Sequence, residues 1–194
     1  MIHGFEHAGH LQIAADLLNK NAVVILPTDT SYAFASLMSN KAGIERMAQL
    51  KGIRIDKARF SIVCPDLSNL ATFSKPIPTP YFRILKNHTP GAYTFLLHAS
   101  QLIPKVFLSR RTSIGLRVPD FSLLRDLVSE LNQPIAVATV PLESYEENSI
   151  ADIWESKVDA VFLSESPQYS RSTVIDLTGN APILVRQGAA PFVL

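Results

Sequence analysis

Apolar and polar residues follow two different periods along this chain, and the period changes repeatedly. In residues 9–20, Leu11, Ala14, Ala15 and Leu18 fall on one side of a helix, which is the spacing of an amphipathic helix. Similar spacing predicts further helices at 40–51, 66–73, 79–87, 120–132 and 150–157. Short apolar runs with proline, glycine or polar residues at their ends predict strands at 22–27, 59–64, 92–98, 112–119, 134–139, 159–163, 172–177 and 182–188.

The interleaving of strands and helices predicts an α/β fold with a sheet flanked by helices. Because the closing strands (159–188) have little helix between them, part of the sheet is predicted to be antiparallel. The helices at 40, 66 and 120 begin with Asn40, Asp66 and Asp120, residues that can cap a helix N-terminus. The polar segment 141–149 is the most evident loop, and the sequence leaves open whether it closes over a site as a lid.

Composition narrows the class of protein. The 194 residues are 47% hydrophobic and 18% charged, which favours one folded domain over 1–194 with a sizeable core. The net charge of +1 predicts no overall electrostatic attraction to nucleic acid or to a membrane. The single cysteine, Cys64, lies in an apolar strand and is interpreted as a buried structural thiol. Without a leader-like N-terminus or a long apolar run, we expect a cytoplasmic protein.

Polar side chains cluster near the ends of the predicted strands, where ligands bind in open α/β sheets. The run PTDTSY follows the first strand, and Ser113 and Arg117 share one face of the strand 112–119. Lys51, Arg54 and Arg186 are further cations that could neutralise phosphate or carboxylate. Each cluster also has an ordinary interpretation as a turn or a solvated charge. The residues alone therefore predict an α/β protein with an anion-binding cleft.

Several common sites lack support in the sequence. There is no P-loop, no glycine-rich dinucleotide motif and no G-x-S-x-G nucleophile motif. The histidines of HGFEHAGH (3–10) could bind zinc, but a flexible terminus is the favoured interpretation. We predict no metal ligands in the protein.

The order of the polar motifs resembles a known family. LPTDTSYAFA, LKGIR, TPGAYTFLL, TSIGLRVP, QPIAVAT and STVIDLTGNAPILVRQG occur in the order found in the YrdC/YciO family, which includes the threonylcarbamoyl-AMP synthases. The resemblance extends from about residue 10 to residue 190. Details such as FSIVCPDLS, NHTPGAYTF and STVIDLT are more similar to the YciO branch than to a typical synthase.

This resemblance implies a twisted mixed sheet, flanked by helices, around a large concave basic cavity. It implies a reaction in which L-threonine, bicarbonate and ATP give threonylcarbamoyl-AMP and pyrophosphate. Partner proteins would then transfer the threonylcarbamoyl group to an adenosine of tRNA, which makes N6-threonylcarbamoyladenosine. Such a transfer depends on positioning and charge neutralisation more than on a covalent nucleophile. Members of the family are also linked to binding of tRNA or double-stranded RNA.

The resemblance also implies roles for particular residues. The threonine-binding residues would be Thr28, Thr30, Tyr32, Arg117 and Ser172. The nucleotide-binding residues would be Lys51, Arg54, Ser113, Thr139 and Arg186. Lys51 would also be the catalytic cation that faces the phosphates of ATP. A divalent cation, Mg²⁺, would be held mainly by ATP itself.

The chain departs from the family pattern at several positions. Alanines replace two glycines of the first motif and the second proline of the P-G-P motif, at Ala33, Ala35 and Ala92. In the lysine motif Ile53 takes the place of an arginine, so that Arg54 is displaced by one position and Arg59 becomes a possible substitute. Val137 and Pro141 replace a serine and an asparagine.

Because the replaced residues fall on the nucleotide side of the cavity that the resemblance implies, three hypotheses about function stay open. The protein is a threonylcarbamoyl-AMP synthase or a close relative, or it is a non-catalytic module that binds tRNA or double-stranded RNA with the same cavity. In the third, it catalyses another carbamoyl- or acyl-adenylate reaction.

Overall fold

The structure, a computed structural model, describes residues 1–108, 111–141, 147–165 and 168–193. Its helices are α1 (Ala8–Asn19), α2 (Lys41–Leu50), α3 (Leu67–Thr72), α4 (Thr79–His88), α5 (Lys105–Leu108), α6 (Ser122–Glu130) and α7 (Glu147–Trp154). Its strands are β1 (Ile2–Gly4), β2 (Val24–Leu26), β3 (Ala33–Leu37), β4 (Ser61–Val63), β5 (Tyr93–His98), β6 (Ser113–Arg117), β7 (Ile135–Thr139), β8 (Ala160–Leu163), β9 (Thr173–Asp176) and β10 (Ile183–Arg186).

The strands in this part of the chain form one sheet in the order β1-β8-β2-β3-β7-β4-β6-β5-β9-β10. The pairs β1-β8, β2-β8, β4-β6 and β5-β9 are parallel, and the remaining neighbours are antiparallel. The predicted mixed sheet flanked by helices is therefore confirmed. Among the closing strands, β9 and β10 are antiparallel as expected, whereas β8 runs parallel to both of its neighbours.

The strand β3 has no counterpart among the sequence predictions. It pairs antiparallel with β2, with Val24 opposite Ala35, and all of its residues are buried. An apolar run buried on both faces lacks the alternation by which a strand is usually recognised. The run PTDTSY is therefore the connection of a β2-β3 hairpin.

The N-terminal residues are ordered into the sheet, so the expectation of a flexible terminus was wrong. The strand β1 pairs in parallel with β8, and His3 lies opposite Phe162. Phe5 is 1% exposed and its ring packs edge-on against Phe162, with a centroid distance of 5.6 Å. A buried aromatic side chain supplies the stabilisation that a three-residue strand lacks by itself.

The sheet is covered by hydrophobic cores on both faces, and β2 contributes to both. Its residues Val24 and Leu26 pack with Leu18 of α1 and Leu124 of α6. The intervening Ile25 packs in the second core, which includes residues of α2, α4 and α7. This division between the faces explains why the first predicted strand is apolar throughout.

Two of the three predicted helix caps are confirmed. The side chain of Asn40 accepts a hydrogen bond from the Gly43 N–H, and that of Asp66 accepts one from the Asn69 N–H. The prediction for Asp120 was wrong, because α6 has Phe121 at its N-cap without a side-chain cap. The backbone N–H of Asp120 instead donates to a carboxylate oxygen of Asp29, at 3.0 Å.

Two further predictions concern Cys64 and the acidic loop. Cys64 is buried as expected, and burial, with a smaller contribution from Asp66, raises the pKa of its thiol to about 12. Residues 142–146 of the loop lie outside the described residues, so the question of a lid also lies outside them. The last helix begins at Glu147, which is three positions earlier than predicted.

Candidate functional site

A cavity of about 670 Å³ lies over one face of the sheet, and we call it the central cavity. Its floor consists of alternate residues of neighbouring strands, namely Ser61 of β4, Ser113, Gly115 and Arg117 of β6, Thr94 and Leu96 of β5, and Val174 and Asp176 of β9. In the sheet register, Ser61 and Leu96 both lie opposite Gly115. A volume of this size suits a small-molecule ligand.

Gly115 permits the close approach of the strands at the floor. A methyl group at this position would lie 3.0 Å from both Ser61 Oγ and Thr94 Cγ2. The alternation of Ser113, Gly115 and Arg117 in the sequence predicted that Ser113 and Arg117 share a face of the strand. The structure confirms this prediction, since all three residues line the central cavity.

A buried ion pair forms one end of the cavity. Arg117 Nη2 donates to Asp29 Oδ1 at 2.6 Å, and the two side chains are only 8% and 5% exposed. Arg117 Nε is buried and has no hydrogen-bond partner in the part of the chain that the structure describes. Asp29 belongs to the PTDTSY run, but its role was not predicted from the sequence.

The β2-β3 connection places two threonines at the same end. Thr28 Oγ1 donates to the Ser31 carbonyl at 2.7 Å and accepts from the N–H groups of Thr30 and Ser31. Arg117 Nη1 also approaches Thr30 Oγ1, at 3.4 Å. Thr28 and Thr30 both line the cavity, so the hydroxyl groups of PTDTSY build a tight turn and a cavity wall together.

Ser172 and Arg186 form a second polar group on the wall. Arg186 Nη2 donates to the Ser172 carbonyl at 2.9 Å, and the hydroxyls of Ser172 and Thr94 are 2.8 Å apart. Burial lowers the pKa of Arg186, and the neighbouring charges of Arg171 and Arg117 lower it further. The charge of this guanidinium is therefore poorly compensated, which favours an anionic ligand.

Lys51 reaches the site from the C-terminal end of α2. Its ammonium group donates to the backbone carbonyl of Thr139, the last residue of β7. Burial and the charge of Arg171 lower the pKa of Lys51. Thr139 itself lines the central cavity, as does Ser113. The structure thus brings the ammonium group next to the wall where the resemblance places nucleotide binding.

Lys51 is bonded to the cavity wall without lining it, and two further candidate site residues also lie outside the central cavity. Arg54 is exposed and pairs with Asp56, with Nε 3.0 Å from Oδ1, beside a separate surface depression that Ile53 also lines. Tyr32 is 1% exposed, and its hydroxyl accepts a hydrogen bond from the Ser164 N–H at 3.1 Å. Their assignment to ligand contacts therefore receives no support from their positions.

Arg59 and Arg111 also line the cavity. Arg59 was expected as a possible substitute for the displaced arginine, whereas Arg111 was not predicted from the sequence. Side chains two positions apart on a strand share a face, and this alternation could have indicated both arginines. Arg59 precedes Ser61 by two positions, and Arg111 precedes Ser113 by two.

The departures from the family pattern have different consequences. Ala33 and Ala35 lie in β3, and neither is among the residues with positive φ in the described part of the chain. Replacing glycine by alanine at these positions therefore causes no backbone strain. Val137 lines the cavity with an apolar side chain where the family pattern has a hydroxyl group.

The described residues do not form a metal site from protein side chains. In this part of the chain, no group of three histidine, cysteine, aspartate or glutamate side chains could hold a metal ion. Asp176 lines the cavity, but its Oδ1 already accepts hydrogen bonds from the N–H and hydroxyl groups of Thr178. An Mg²⁺ ion at this site would depend on the phosphates of its ligand.

Within the same described ranges, no helix has the length and apolar character needed to cross a membrane.

Comparison with known proteins gives the family. Residues 16–188 match the Sua5/YciO/YrdC family model, which carries the description "Telomere recombination". The chain belongs to the Sua5/YciO/YrdC family. It is 36% identical to an uncharacterized protein of Haemophilus influenzae, over 93% of this chain and 91% of that protein. It is 33% identical to YciO of Escherichia coli, over 90% of this chain and 87% of that protein.

More distant relatives are named threonylcarbamoyl-AMP synthases. The protein of this name from Pyrococcus abyssi is 24% identical over 93% of this chain, and the match spans 54% of the synthase. The higher identity to YciO confirms the expected similarity to the YciO branch.

Solved structures agree with the fold. The crystal structure of E. coli YciO matches with a TM-score of 0.88 at 29% identity, over 98% of this chain and 95% of that one. The structure of P. abyssi Sua5 complexed with L-threonine matches with a TM-score of 0.86 at 23% identity, over 97% of this chain and 57% of that one. The mixed sheet with flanking helices is thus the fold of both relatives.

Proposed function

We propose that the central cavity binds ATP and L-threonine, and that the protein is a threonylcarbamoyl-AMP synthase or a close relative. The observation that carries this proposal is the convergence of two polar groups on one cavity. Thr28, Thr30 and Arg117 lie at one end, while Ser113 and Thr139, the latter bonded to Lys51, line another part. The first group suits an amino acid with a hydroxyl and a carboxylate, and the second suits phosphate.

Similarity to known proteins supports the same proposal. Relatives from P. abyssi, Bacillus subtilis and Homo sapiens are named threonylcarbamoyl-AMP synthases, at 24%, 28% and 26% identity. The P. abyssi Sua5 structure contains L-threonine. The relatives with higher identity, such as YciO of E. coli, carry no activity in their names.

The proposed reaction has two steps. The amine of L-threonine combines with bicarbonate to give a carbamate and water. A carbamate oxygen then attacks the α-phosphorus of ATP, the bond to the β-phosphate oxygen breaks, and pyrophosphate leaves with the electron pair. Bound Mg²⁺ would supply charge neutralisation at the phosphates.

In this proposal, the residues of the chain bind and orient the reactants. Arg117 would bind the threonine carboxylate, since it lines the central cavity and its orientation is held by Asp29. Thr28 and Thr30 would contact the rest of the amino acid. Lys51 and Arg186 would stabilise negative charge on the phosphates, which grows on pyrophosphate as it leaves. The threonylcarbamoyl group would then pass, through partner proteins, to an adenosine of tRNA.

Pyrophosphate release from ATP by the purified chain tests this function. We expect release that requires L-threonine and bicarbonate together, and a decrease of about 10- to 100-fold in Lys51→Ala, because one charge-assisted contact is lost. Lys41→Ala is the matched control, since this exposed lysine of the same helix pairs only loosely with Glu45, at 3.8 Å. The proposal fails if folded wild-type protein releases no pyrophosphate under conditions in which a known synthase does.

A non-catalytic RNA-binding module is the second candidate. The apolar Val137 in the cavity wall and the outward position of Arg54 favour it, because both reduce the contacts available to a nucleotide. It predicts binding of tRNA or duplex RNA that weakens steeply with added salt, since phosphate contacts release counterions. Absence of binding at low salt would exclude it.

A further inference from the structure

The edge strand β10 contains one residue more than a regular pair with β9 allows. Leu184 lies opposite Ile175, but the residue opposite Val174 is Arg186 and not Val185. Val185 is therefore the extra residue of a β-bulge. Residues that face each other in an antiparallel pair share one face of the sheet, and Val174 lines the central cavity. Val185 and Arg186 line it as well, which two successive residues of a regular strand cannot do.

Without this bulge, Arg186 would face the other side of the sheet. If the register at the start of β10 continued without an extra residue, Val185 would lie opposite Val174, and Arg186 would lie opposite Thr173. Thr173 lies between Ser172 and Val174, which both line the cavity, so its side chain is on the opposite face. Arg186 would then lose the bonds that its Nε and Nη2 donate to the Ser172 carbonyl, at 3.1 Å and 2.9 Å.

The hydroxyl of Thr173 connects β9 to the segment 187–190, which follows β10. It donates to the Ala190 carbonyl. It also accepts hydrogen bonds from the Gly188 N–H at 2.9 Å and from the side-chain amide of Gln187 at 3.4 Å. Because Thr173 is 0% exposed, water does not compete for these bonds. They fix the point at which the chain leaves β10 relative to the start of β9.

Gly188 allows this segment to pass directly against the backbone that precedes β9. A methyl group on Gly188 would lie 2.2 Å from the Arg171 carbonyl oxygen and 2.4 Å from the Ser172 carbonyl carbon. Such an approach is possible only for a residue without a side chain. The Ala189 N–H donates to the same Arg171 carbonyl at 2.8 Å. The segment is thus bonded on both sides of Ser172, whose own carbonyl accepts from Arg186.

We propose that Thr173 and Gly188 are positioning residues, which fix the extra residue of β10 and thereby turn Arg186 into the central cavity. The connection between β9 and β10 sets the register at one end of β10, and the contacts of Thr173 and Gly188 set it at the other. The surplus residue between these two points is accommodated as the bulge at Val185. Neither Thr173 nor Gly188 lines the central cavity, so both act through Arg186. The inference rests on the proposed function for the role of Arg186, which is to bind the nucleotide.

A measurement of strand register tests the inference without any ligand. Nuclear magnetic resonance detects the short distances between backbone protons of facing residues, here Val174 and Arg186. We expect this contact in the wild type, and a contact between position 173 and Arg186 in its place in Thr173→Val and in Gly188→Ala. Thr72→Val is the matched control, because the Thr72 hydroxyl also donates to a backbone carbonyl but lies in α3. An unchanged register in both folded variants would overturn the inference.

The dissociation constant of ATP, measured by calorimetry, tests the consequence for binding. We expect ATP to bind about 10- to 100-fold more weakly to Thr173→Val, Gly188→Ala and Arg186→Met, because each removes the same charge-assisted contact. L-Threonine affinity should change by less than about 3-fold, since Arg117 lies in another part of the cavity. Thr173→Ser keeps the hydroxyl and should bind ATP as the wild type does. Adding Arg186→Met to Thr173→Val should weaken ATP binding no further.

The outcomes separate this inference from the proposed function. Additive losses for Thr173→Val and Arg186→Met would overturn the inference, because Thr173 would then act by another route. An equal loss of ATP and L-threonine affinity would also overturn it, since that result indicates a general loss of structure. Absence of ATP binding by the folded wild type would overturn the proposed function. The register measurement alone then decides whether Thr173 and Gly188 direct Arg186 into the cavity.

Discussion

Asp29 and Arg117 form a buried ion pair that holds the guanidinium in the central cavity. Asp29 accepts from Arg117 with one carboxylate oxygen and from the Asp120 N–H with the other. Such a pair is costly to break, because removing one partner leaves the other charge buried and uncompensated. Asp29 is therefore a positioning residue, since it acts on the proposed threonine site through Arg117.

A double-mutant cycle tests this pair. We expect Asp29→Ala to lower the free energy of unfolding by about 3–5 kcal/mol. Asp29→Ala/Arg117→Met should be less destabilised than the sum of its single variants by about 1–3 kcal/mol, because the uncompensated charge is gone. Urea unfolding of the four proteins gives the cycle. Additive effects would show that the two residues are not coupled. A rise in the dissociation constant of L-threonine for Asp29→Ala, measured under folding conditions, would distinguish positioning from a purely structural role.

At the scale of residues, sequence motifs identified much of the central cavity. Ser113, Arg117 and Ser172 were predicted from their place in ordered motifs, and all three line it. Arg54 was predicted from its proximity to Lys51 in the sequence, but its side chain is bonded to Asp56 at the surface. A shift of one position changes the direction of a side chain, so a motif with a displaced residue does not predict where its charge lies.

The helix α2 connects the nucleotide wall to the sheet through its N-cap. Asn40 accepts from the Gly43 N–H, and its amide donates to the Asn21 carbonyl at 2.8 Å and to Ser36 Oγ at 3.0 Å. The cap therefore joins α2 to β3 and to the turn after α1. Lys51 lies at the other end of the same helix, so the position of its ammonium group depends on how α2 is held.

Replacement of the two predicted caps provides a matched comparison. Asn40→Ala should lower the free energy of unfolding by about 2–3 kcal/mol, because it removes a cap together with the two hydrogen bonds that the Asn40 amide donates to Asn21 and Ser36. Asp66→Ala should cost about 1 kcal/mol, since Asp66 only caps α3 at an exposed position. Thermal or urea unfolding measures both. Equal losses would contradict the view that Asn40 connects separate elements.

At the scale of elements, the periodic helices and eight of the ten described strands were predicted, whereas β1, β3 and α5 were missed. The helix α1 was predicted at 9–20 and is observed at Ala8–Asn19. The strand β3 was missed because burial on both faces removes the polar positions that mark a strand. The short helix α5 was also missed, since four residues are too few to show a period.

The whole molecule is organised by one sheet whose edge includes the N-terminal strand β1. Phe5 follows β1 directly and contacts Phe162 of β8 and Phe121 before α6, with centroid distances of 5.6 Å and 6.0 Å. Its backbone N–H also donates to the Leu163 carbonyl. The N-terminus thus contributes to the core beneath α1 and α6.

Truncation of this side chain tests that contribution. Phe5→Ala should lower the free energy of unfolding by about 3–5 kcal/mol, as expected for a fully buried aromatic residue. Ile2→Ala is the control, because Ile2 is 45% exposed and its loss should cost less than about 1 kcal/mol. The measurement is urea unfolding at a fixed temperature. A loss for Phe5→Ala as small as that of the control would restore the picture of a flexible terminus.

The sequence by itself determined the class of fold, the family and several polar residues of the central cavity. The period and polarity of side chains are local properties, so they can be read from any stretch of the sequence. The order of the motifs indicates the family and, with it, residues that line the shared cavity. Only the tertiary structure decided which cations meet there. Arg111 donates to the backbone carbonyls of Ala58 and Asp56 before β4, and Asp29 meets Arg117 across 88 positions of sequence. Contacts of this kind depend on strand pairing, which no local pattern specifies.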